Sequence, residues 1–318
     1  MESFPQAVAV TAGESGSMRL VLDTDAGVDD AIAILMALHA FPKEQVVGVT
    51  TVFGNVDLHQ ANHNVAQYAS VLERGMPKNL TCAGCLVLQG HGPDGLGGES
   101  GKIEAPLQAA RRNEAVHALI DLAHQFSGEL VVVALGPLTN VALAILLDPS
   151  FVSNVKQLVV MGGLSRGEGN QTPHSEFNVA CDPEATDIVY QHCTAAKLHV
   201  VPFETCLDNA LPWDTFDQIF HAEANAKSGY IRKVWKFTRA FCEHEGFLPC
   251  DAYAIAILLH PEYVKTSQKL KGCIHLAPDD KRGACIWDES CLPEEANVTL
   301  VTEIDSRVFI ELLHHLAA

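Results

Sequence analysis

The sequence is poor in basic residues: it has 21 Lys and Arg against 39 Asp and Glu, and its formal net charge is −18. A chain with this excess of negative charge repels phosphate polyanions, so we expect no nucleic-acid partner. Long apolar runs are also missing, because stretches such as residues 31–38 are shorter than a membrane-spanning helix. These shortages argue against nucleic-acid-binding and membrane proteins.

Residues 1–17 lack the basic start and the apolar core of a signal peptide, and they contain Gly and Ser. We expect them to form a flexible tail. The ten cysteines are scattered and do not form the dense disulfide framework of small secreted proteins. The close pair Cys82 and Cys85 has no second pair at the spacing of a zinc site. We therefore expect free thiols and a cytoplasmic location.

Hydrophobic residues make up 48% of the 318 residues, enough for a sizeable core. Short apolar runs alternate with segments of helical spacing. The predicted strands are residues 20–22, 46–52, 130–135, 157–161 and 198–201. The predicted helices are residues 31–40, 58–72, 140–147, 183–192 and 252–259. This alternation predicts an α/β fold with a mainly parallel central sheet flanked by helices.

We expect one domain over residues 18–318, following the tail at residues 1–17. We predict a helical C-terminal insertion at residues 212–249 and further strands within residues 271–304. In sheets of this kind ligands bind beyond the carboxyl ends of the strands. Polar clusters at those ends are therefore the candidate functional residues.

An acidic cluster follows the first predicted strand, where Asp23, Asp25, Asp29 and Asp30 place four carboxylates within eight residues. A helix N-terminus favours one or two acids, and capping by Asp29 or Asp30 would account for one of them. Four carboxylates at one strand end repel each other unless a cation or protons intervene. Carboxylates without nearby His or Cys suit Ca²⁺ or Mg²⁺, so we expect a metal site.

The acidic segment DTDAGVDDA, residues 23–31, resembles the N-terminal signature of the inosine-uridine nucleoside hydrolase family. The resemblance continues in the same order along most of the chain. The further matching segments are TTVFGN at 50–55, HGPDGLG at 91–97, LGPLTN at 135–140, MGG at 161–163, GN at 169–170, EFN at 176–178, DPEA at 182–185 and DA at 251–252. Each segment is weak alone, but their common order is specific.

The resemblance implies calcium-dependent hydrolysis of the N-glycosidic bond of ribonucleosides to free base and ribose. It implies that Ca²⁺ is held by Asp25, Asp30, Asp251 and the backbone carbonyl of Leu135. A metal-activated water would attack the sugar through an oxocarbenium-like transition state, with Asp25 as the base. Asp251 could also be an N-cap for the helix that follows it, and the two roles are compatible.

The resemblance also implies a set of ribose-binding residues: Asp29, Asn55, Met161, Asn170, Glu176 and Asn178. Ribose hydroxyls need polar partners, and all but Met161 supply them. Taken alone, Asn55 and Asn170 would be turn residues and Met161 plain core.

The chain departs from the family pattern at Cys250, where the best-studied members carry a His that protonates the leaving base. A subgroup of the family carries Cys at this position. A thiol is a poorer acid than imidazolium at neutral pH, so the identity of the leaving-group acid stays open. His91, in the Gly-rich loop, is the first other candidate, and His174 and His244 are further ones.

Three aromatic residues at roughly helical spacing, Trp235, Phe237 and Phe241, could stack on a base or pack onto the domain. The preference for purine or pyrimidine therefore stays open. Members of the family commonly form dimers or tetramers, so the resemblance implies a homodimer or homotetramer that acts on a small nucleoside.

Two other functions remain as alternatives. Asp23-Thr24-Asp25 superficially matches the nucleophile motif of haloacid dehalogenase-type phosphatases, in which Asp23 would be a covalent nucleophile. The pair Asp29-Asp30 has no place in that chemistry. A non-catalytic ribose or nucleoside binder would keep the metal site but lose turnover through Cys250.

Overall fold

A computed structural model describes residues 18–71, 78–81, 89–100, 114–221 and 225–318. The expected tail at residues 1–17 and the pair Cys82 and Cys85 lie outside these ranges. The strands are β1 Arg19–Thr24, β2 Val46–Thr51, β3 Lys78–Thr81, β4 Leu130–Ala134, β5 Gln157–Met161, β6 Leu198–Val201, β7 Val264–Ile274, β8 Cys285–Asp288 and β9 Val298–Ile304. The helices are α1 Val28–Ala40, α2 Leu58–Val71, α3 Glu114–Gln125, α4 Thr139–Leu147, α5 Phe151–Asn154, α6 Phe177–Cys181, α7 Pro183–His192, α8 Phe203–Asp208, α9 Trp213–Ile219, α10 Ala226–Phe241, α11 Cys250–Leu259 and α12 Ser306–Ala317.

The described strands form one sheet in the order β3-β2-β1-β4-β5-β6-β9-β7-β8. Strands β1 to β6 and β9 run parallel, and β7 is antiparallel to both β8 and β9. The prediction of a mainly parallel sheet is therefore confirmed. The chain builds outward in one direction through β2 and β3 and in the other from β4, so the strand order reverses between β1 and β4. This is the point at which parallel sheets form a ligand crevice.

Helices cover both faces of the sheet because successive residues of its strands point to opposite sides. Leu20 and Leu22 contribute to a core with α1, α2 and α9 to α12, whereas Val21 packs with α3, α4, α5 and α7 on the other face. Helix α1 is buried along almost its whole length and packs against α11. Both helices begin at the carboxyl edge of the sheet, so their first turns meet there.

The C-terminal third agrees with the predicted helical insertion, since α9 and α10 lie within residues 212–249. Strand β7 begins at Val264, seven residues before the predicted start at residue 271. Residues 265–269 of this strand are polar and exposed, so they lack the apolar alternation by which strands are identified. The division into a tail and one domain stays a prediction. No helix of the described ranges is long and apolar enough to cross a membrane.

Candidate active site

The acidic cluster lies where β1 gives way to α1. After Thr24 the chain turns through Ala26, which has a φ of 60° and is the one non-glycine residue with positive φ in the described part of the chain. Alanine rarely adopts this left-handed conformation, because its Cβ approaches the backbone. This turn, residues 25–28 and called the acidic turn below, connects Asp25, just beyond the strand, to Asp29 and Asp30 in the first turn of α1.

The Asp25 carboxylate is held by the residue that follows the neighbouring strand β2. Its Oδ2 accepts a hydrogen bond from the backbone N–H of Asn55 at 2.7 Å, and its Oδ1 accepts one from Asn55 Nδ2 at 2.9 Å. Gly54 makes this approach possible, because a Cβ there would lie 2.0 Å from Asp25 Oδ2. Gly54 of the TTVFGN segment is thus part of the site because it leaves room for the Asp25 carboxylate, a role that its sequence context did not indicate.

Asp29, Asp30 and Asp251 converge on one point, with one carboxylate oxygen of each within 4.8 Å of the others. Two oxygens that bind the same Ca²⁺ at about 2.3–2.6 Å can be this far apart. Asp29 Oδ1 and Asp251 Oδ2 are buried and have no hydrogen-bond partner among the described residues. Buried oxygens of this kind are costly unless a cation or a ligand binds them. The donor set therefore fits a hard divalent cation. It includes Asp29 and not the predicted ligand Asp25, whose two oxygens accept hydrogen bonds from Asn55, so the assignment of Asp25 as a ligand stays a prediction.

The electrostatics agree with a site built for positive charge. Burial, and then the neighbouring Asp30 carboxylate, raise the pKa of Asp25 well above its ordinary value. Burial and the surrounding aspartates do the same for Asp251, and burial raises the pKa of Asp29 to about 6. A cation among the carboxylates would offset both burial and mutual repulsion.

Asp30 and Asp251 were both candidate helix caps, and the structure supports this role only for Asp30. Asp30 does cap α1, since its Oδ2 accepts a hydrogen bond from the N–H of Gly27 at 2.9 Å, while Thr24 donates to its Oδ1. Asp251 is not the N-cap of α11: the helix begins at Cys250 after Pro249, and no side chain caps it. The N-cap interpretation of Asp251 is therefore wrong, because the helix starts two residues earlier than predicted.

Asp23, near the end of β1, links neighbouring elements at the carboxyl edge of the sheet. Its Oδ1 accepts hydrogen bonds from Thr50 Oγ1 at 2.5 Å and from Asn140 Nδ2 at 2.8 Å, so it joins the ends of β1 and β2 to α4. Burial raises the pKa of Asp23 to about 6. Asn140 closes the LGPLTN segment, and its sequence context did not indicate this role.

The Leu135 carbonyl lies directly after β4, beside the end of β1. Leu135 donates its N–H to Asp23 O at 2.8 Å, and its carbonyl accepts a hydrogen bond from Asn178 Nδ2 at 3.0 Å. A carbonyl oxygen has a second lone pair, so this bond is compatible with a metal contact. The assignment of Leu135 as a ligand stays a prediction.

Glu176, Asn178 and Met161 lie together at the end of β5 and the start of α6. Glu176 caps α6 by accepting from the N–H groups of Asn178 and Val179, and it also accepts from Gly163 at 2.9 Å. Burial raises the pKa of Glu176 to about 7. Asn178 Nδ2 also contacts the carbonyl of Met161 at 3.2 Å. The structure thus brings these three predicted ribose-binding residues into one group.

Asn170 is exposed, and its Oδ1 accepts the N–H of Phe177 at 2.9 Å. This bond stabilises the loop before α6, as the turn interpretation of Asn170 expects. Contact of Asn170 with ribose stays a prediction.

His91 lies against the acidic turn. Its Nδ1 accepts the N–H of Val28 at 3.1 Å and is 3.5 Å from Asp29 Oδ1. Burial lowers the pKa of His91 to about 4, so the ring is neutral at physiological pH and carries its hydrogen on Nε2. His174 is half-buried and His244 is exposed.

Cys250 is buried at the start of α11, next to Asp251. A hydrogen bond with Cys206, burial, and the nearby Asp29 and Asp251 carboxylates raise the pKa of its thiol well above the ordinary value. The thiol therefore keeps its hydrogen at neutral pH and is a weak acid.

Of the three aromatic residues of α10, Trp235 is core. Its ring packs 4.7 Å from that of Phe247, and its Nε1 donates to Val28 O at 3.0 Å. Phe237 and Phe241 remain 39% and 59% exposed. The packing interpretation therefore holds for Trp235, and the two phenylalanines stay available for contact with a base.

The family model described as inosine-uridine preferring nucleoside hydrolase matches residues 20–311. A protein named probable uridine nucleosidase 1 from Oryza sativa subsp. japonica is 34% identical over 259 residues, which cover 77% of this chain and 78% of that protein. The non-specific ribonucleoside hydrolase RihC of Shigella boydii serotype 18 is 30% identical over 298 residues, 91% of this chain and 95% of that protein.

A solved structure of an inosine-guanosine nucleoside hydrolase superposes with a TM-score of 0.84 at 28% identity, over 95% of this chain and 98% of that one. A plant nucleoside hydrolase shares the fold, with a TM-score of 0.85 at 24% identity over 95% of this chain and 99% of that one. Sequence and fold agree over nearly the whole chain, and the chain belongs to the inosine-uridine preferring nucleoside hydrolase family.

Proposed function

We propose that this nucleoside hydrolase uses Ca²⁺, held by Asp25, Asp30, Asp251 and the Leu135 carbonyl, to cleave ribonucleosides. Family membership establishes the reaction class, which is hydrolysis of the N-glycosidic bond to free base and ribose. One observation carries the metal proposal: buried carboxylates converge at the end of β1, and oxygens of Asp29 and Asp251 have no hydrogen-bond partner among the described residues. When bound, Ca²⁺ supplies positive charge that makes a nearby water more acidic.

Asp25 acts as the general base in this proposal. Its two bonds from Asn55 hold the carboxylate in one orientation, so it is positioned in advance to accept a proton. It takes a proton from the water that attacks C1′ of the ribose. The bond between C1′ and the base breaks as the sugar gains oxocarbenium character, and the negative charge of Asp29 stabilises the positive charge on the sugar.

The ribose is oriented by polar groups on both sides of the cluster. Asp29 and Asn55 lie beside the acidic turn, and Glu176 and Asn178 are held rigidly by α6. Met161 packs on the apolar face of the sugar, and Asn170 reaches it from the loop before α6. Buried, pre-oriented acceptors select a hydroxylated ring, because a substrate without those hydroxyls would leave them unpaired.

The function is tested with purified protein and a panel of nucleosides and nucleotides, with free base followed by chromatography and ribose by a reducing-sugar assay. Equal amounts of base and ribose from at least one ribonucleoside are expected. Phosphate released from nucleotides without free base would instead support the haloacid dehalogenase-type alternative. Nucleoside binding without product would support the non-catalytic binder.

The leaving base needs a proton, and Cys250 and His91 are the two candidate donors, because each side chain is neutral and keeps a hydrogen at neutral pH. Cys250→Ala is expected to slow hydrolysis of inosine by about 10²-fold, the lower range for loss of a general acid. It should slow 4-nitrophenyl riboside by only a few fold, because nitrophenolate leaves without protonation. Steady-state kcat on both substrates is the measurement.

Cys193→Ala is the matched control, since Cys193 has the same 7% exposure as Cys250 but lies at the end of α7. Its kcat should be near that of the wild type on both substrates. An equal loss on both substrates in Cys250→Ala would exclude the thiol as the acid, and the same comparison with His91→Ala would then test the imidazole.

A homodimer or homotetramer and a cytoplasmic location remain proposals. All eight cysteines in the described ranges are free thiols, which is compatible with a reducing compartment. Light scattering coupled to size-exclusion chromatography would measure the oligomeric state.

A further inference from the structure

Helix α2 turns polar side chains inward where an amphipathic helix would bury apolar ones. Asn64, Gln67 and Tyr68 are fully buried, and Gln60 lies one turn earlier on the same face. Burying an amide is unfavourable unless its hydrogen bonds are satisfied. This buried polar stripe of α2 is therefore informative about what it contacts.

Asn64 uses its whole amide to join two parts of the active site. Its Nδ2 donates to the carbonyl of Ala26 at 3.0 Å and to the carbonyl of Asp94 at 2.8 Å. Its Oδ1 accepts from Gln60 Nε2 at 2.9 Å, which fixes the orientation of the amide. One side chain thus bonds both the acidic turn and the loop that carries His91.

The bond to Ala26 falls on the strained position of the acidic turn. Tyr68 reinforces it, because its hydroxyl lies 3.0 Å from the Ala26 carbonyl and 3.1 Å from that of Gly27. A non-glycine residue keeps a left-handed conformation only where its surroundings hold it. This conformation directs Asp25 and the first turn of α1 toward the same point.

The bond to Asp94 falls on a loop segment whose own hydrogen bonds hold it together. The Asp94 carboxylate accepts the N–H groups of Leu96, Gly98 and Ser100 at 2.7 to 2.9 Å. His91, in the same loop, accepts the N–H of Val28 on the other side of the acidic turn. The turn and the loop are therefore fastened at two separate points.

We propose that Asn64, supported by Tyr68, is a positioning residue that shapes the acidic turn for its cation and holds the His91 loop in register with it. This inference rests on the proposed calcium site. It predicts that loss of Asn64 weakens cation binding although Asn64 lies outside the carboxylate cluster. It also predicts that Asn64 and His91 act as a coupled pair.

The first test compares Asn64→Ala with Asn62→Ala by calorimetric titration of Ca²⁺ into metal-free protein without nucleoside. Asn62 is a matched control: it lies on the same helix and is 9% exposed, but its amide bonds Leu58 and Thr51. Asn64→Ala should bind Ca²⁺ about tenfold more weakly or worse, the usual effect of removing a group that orients metal ligands. Asn62→Ala should bind as the wild type does.

The second test is a double-mutant cycle on kcat with Asn64→Ala and His91→Ala. If Asn64 acts by holding the His91 loop, the combined loss is smaller than the product of the two single losses. A purely structural role would give independent losses.

The outcomes separate this inference from the proposed function. If wild type and Asn62→Ala both fail to bind Ca²⁺, the proposed metal is wrong. If both bind and Asn64→Ala binds equally tightly, the positioning role is wrong. Should Asn64→Ala fail to fold, Tyr68→Phe, which removes one oxygen, is titrated in its place, and unchanged affinity there overturns the inference.

Discussion

Replacing Asp25 with Asn is expected to lower kcat for ribonucleoside hydrolysis by about 10³-fold, within the range for loss of a general base. The substitution keeps the shape of the side chain but removes its ability to take a proton. It also opposes the amide hydrogens of the new side chain to the Asn55 donors that hold the carboxylate. Because Asp25 is also a proposed Ca²⁺ ligand, the variant is assayed at saturating Ca²⁺, and kcat should then fall far more than substrate affinity.

Steady-state kinetics with ribose detection measures this effect, and Asp148→Asn is the control. Asp148 bonds His124 and Ser150 between α4 and α5, away from the acidic turn. Its loss removes one carboxylate without touching the cluster and should leave kcat unchanged. Near-normal turnover in Asp25→Asn would remove Asp25 from the mechanism, and the base would then have to be sought elsewhere in the cluster.

Removal of Ca²⁺ with a chelator is expected to abolish hydrolysis, and added Ca²⁺ should restore it. Without the cation, the buried aspartates either repel one another or take up protons, and oxygens of Asp29 and Asp251 have no hydrogen-bond partner among the described residues. Neither a positioned water nor an acidified one is then available. Activity that survives exhaustive chelation, with metal content verified by elemental analysis, would contradict the calcium proposal.

Asp251→Asn should weaken Ca²⁺ binding by at least about 100-fold, since loss of a group that merely orients ligands already costs about 10–100-fold. Asp305→Asn is a suitable control because Asp305 caps α12 through its bond to the N–H of Arg307. Asp305→Asn removes a helix cap, so it should lower the unfolding temperature and leave calcium affinity intact. Wild-type affinity in Asp251→Asn would exclude it as a ligand.

Much of the fold followed from local patterns. The apolar runs of β4 and β5 and the helical spacing of α7 predicted those elements closely. Each element packs on the core, so the pattern of its apolar residues follows the pattern of its buried positions. The polar half of β7 was not predicted as a strand, because its pairing with β9, and not its side-chain pattern, makes it one. The start of α11 shifted to Cys250 for a related reason: helix ends depend on neighbouring structure more than on composition.

The site was predictable to the extent that its residues are neighbours in sequence. Asp25, Asp29 and Asp30 signalled a cation because their charges crowd one turn. Asn64 gave no such signal, since an amide in a helix ordinarily faces solvent, and its two partners lie in distant segments.

By itself, then, the amino-acid order determined the family, the alternation of strands and helices, and which carboxylates are available to a metal. Only the tertiary structure decided which of them share one point and what holds them there. The reason is physical: the bonds that orient Asp25, Asp23 and Ala26 come from strand ends and helices that meet only after the sheet and its two helical layers have assembled.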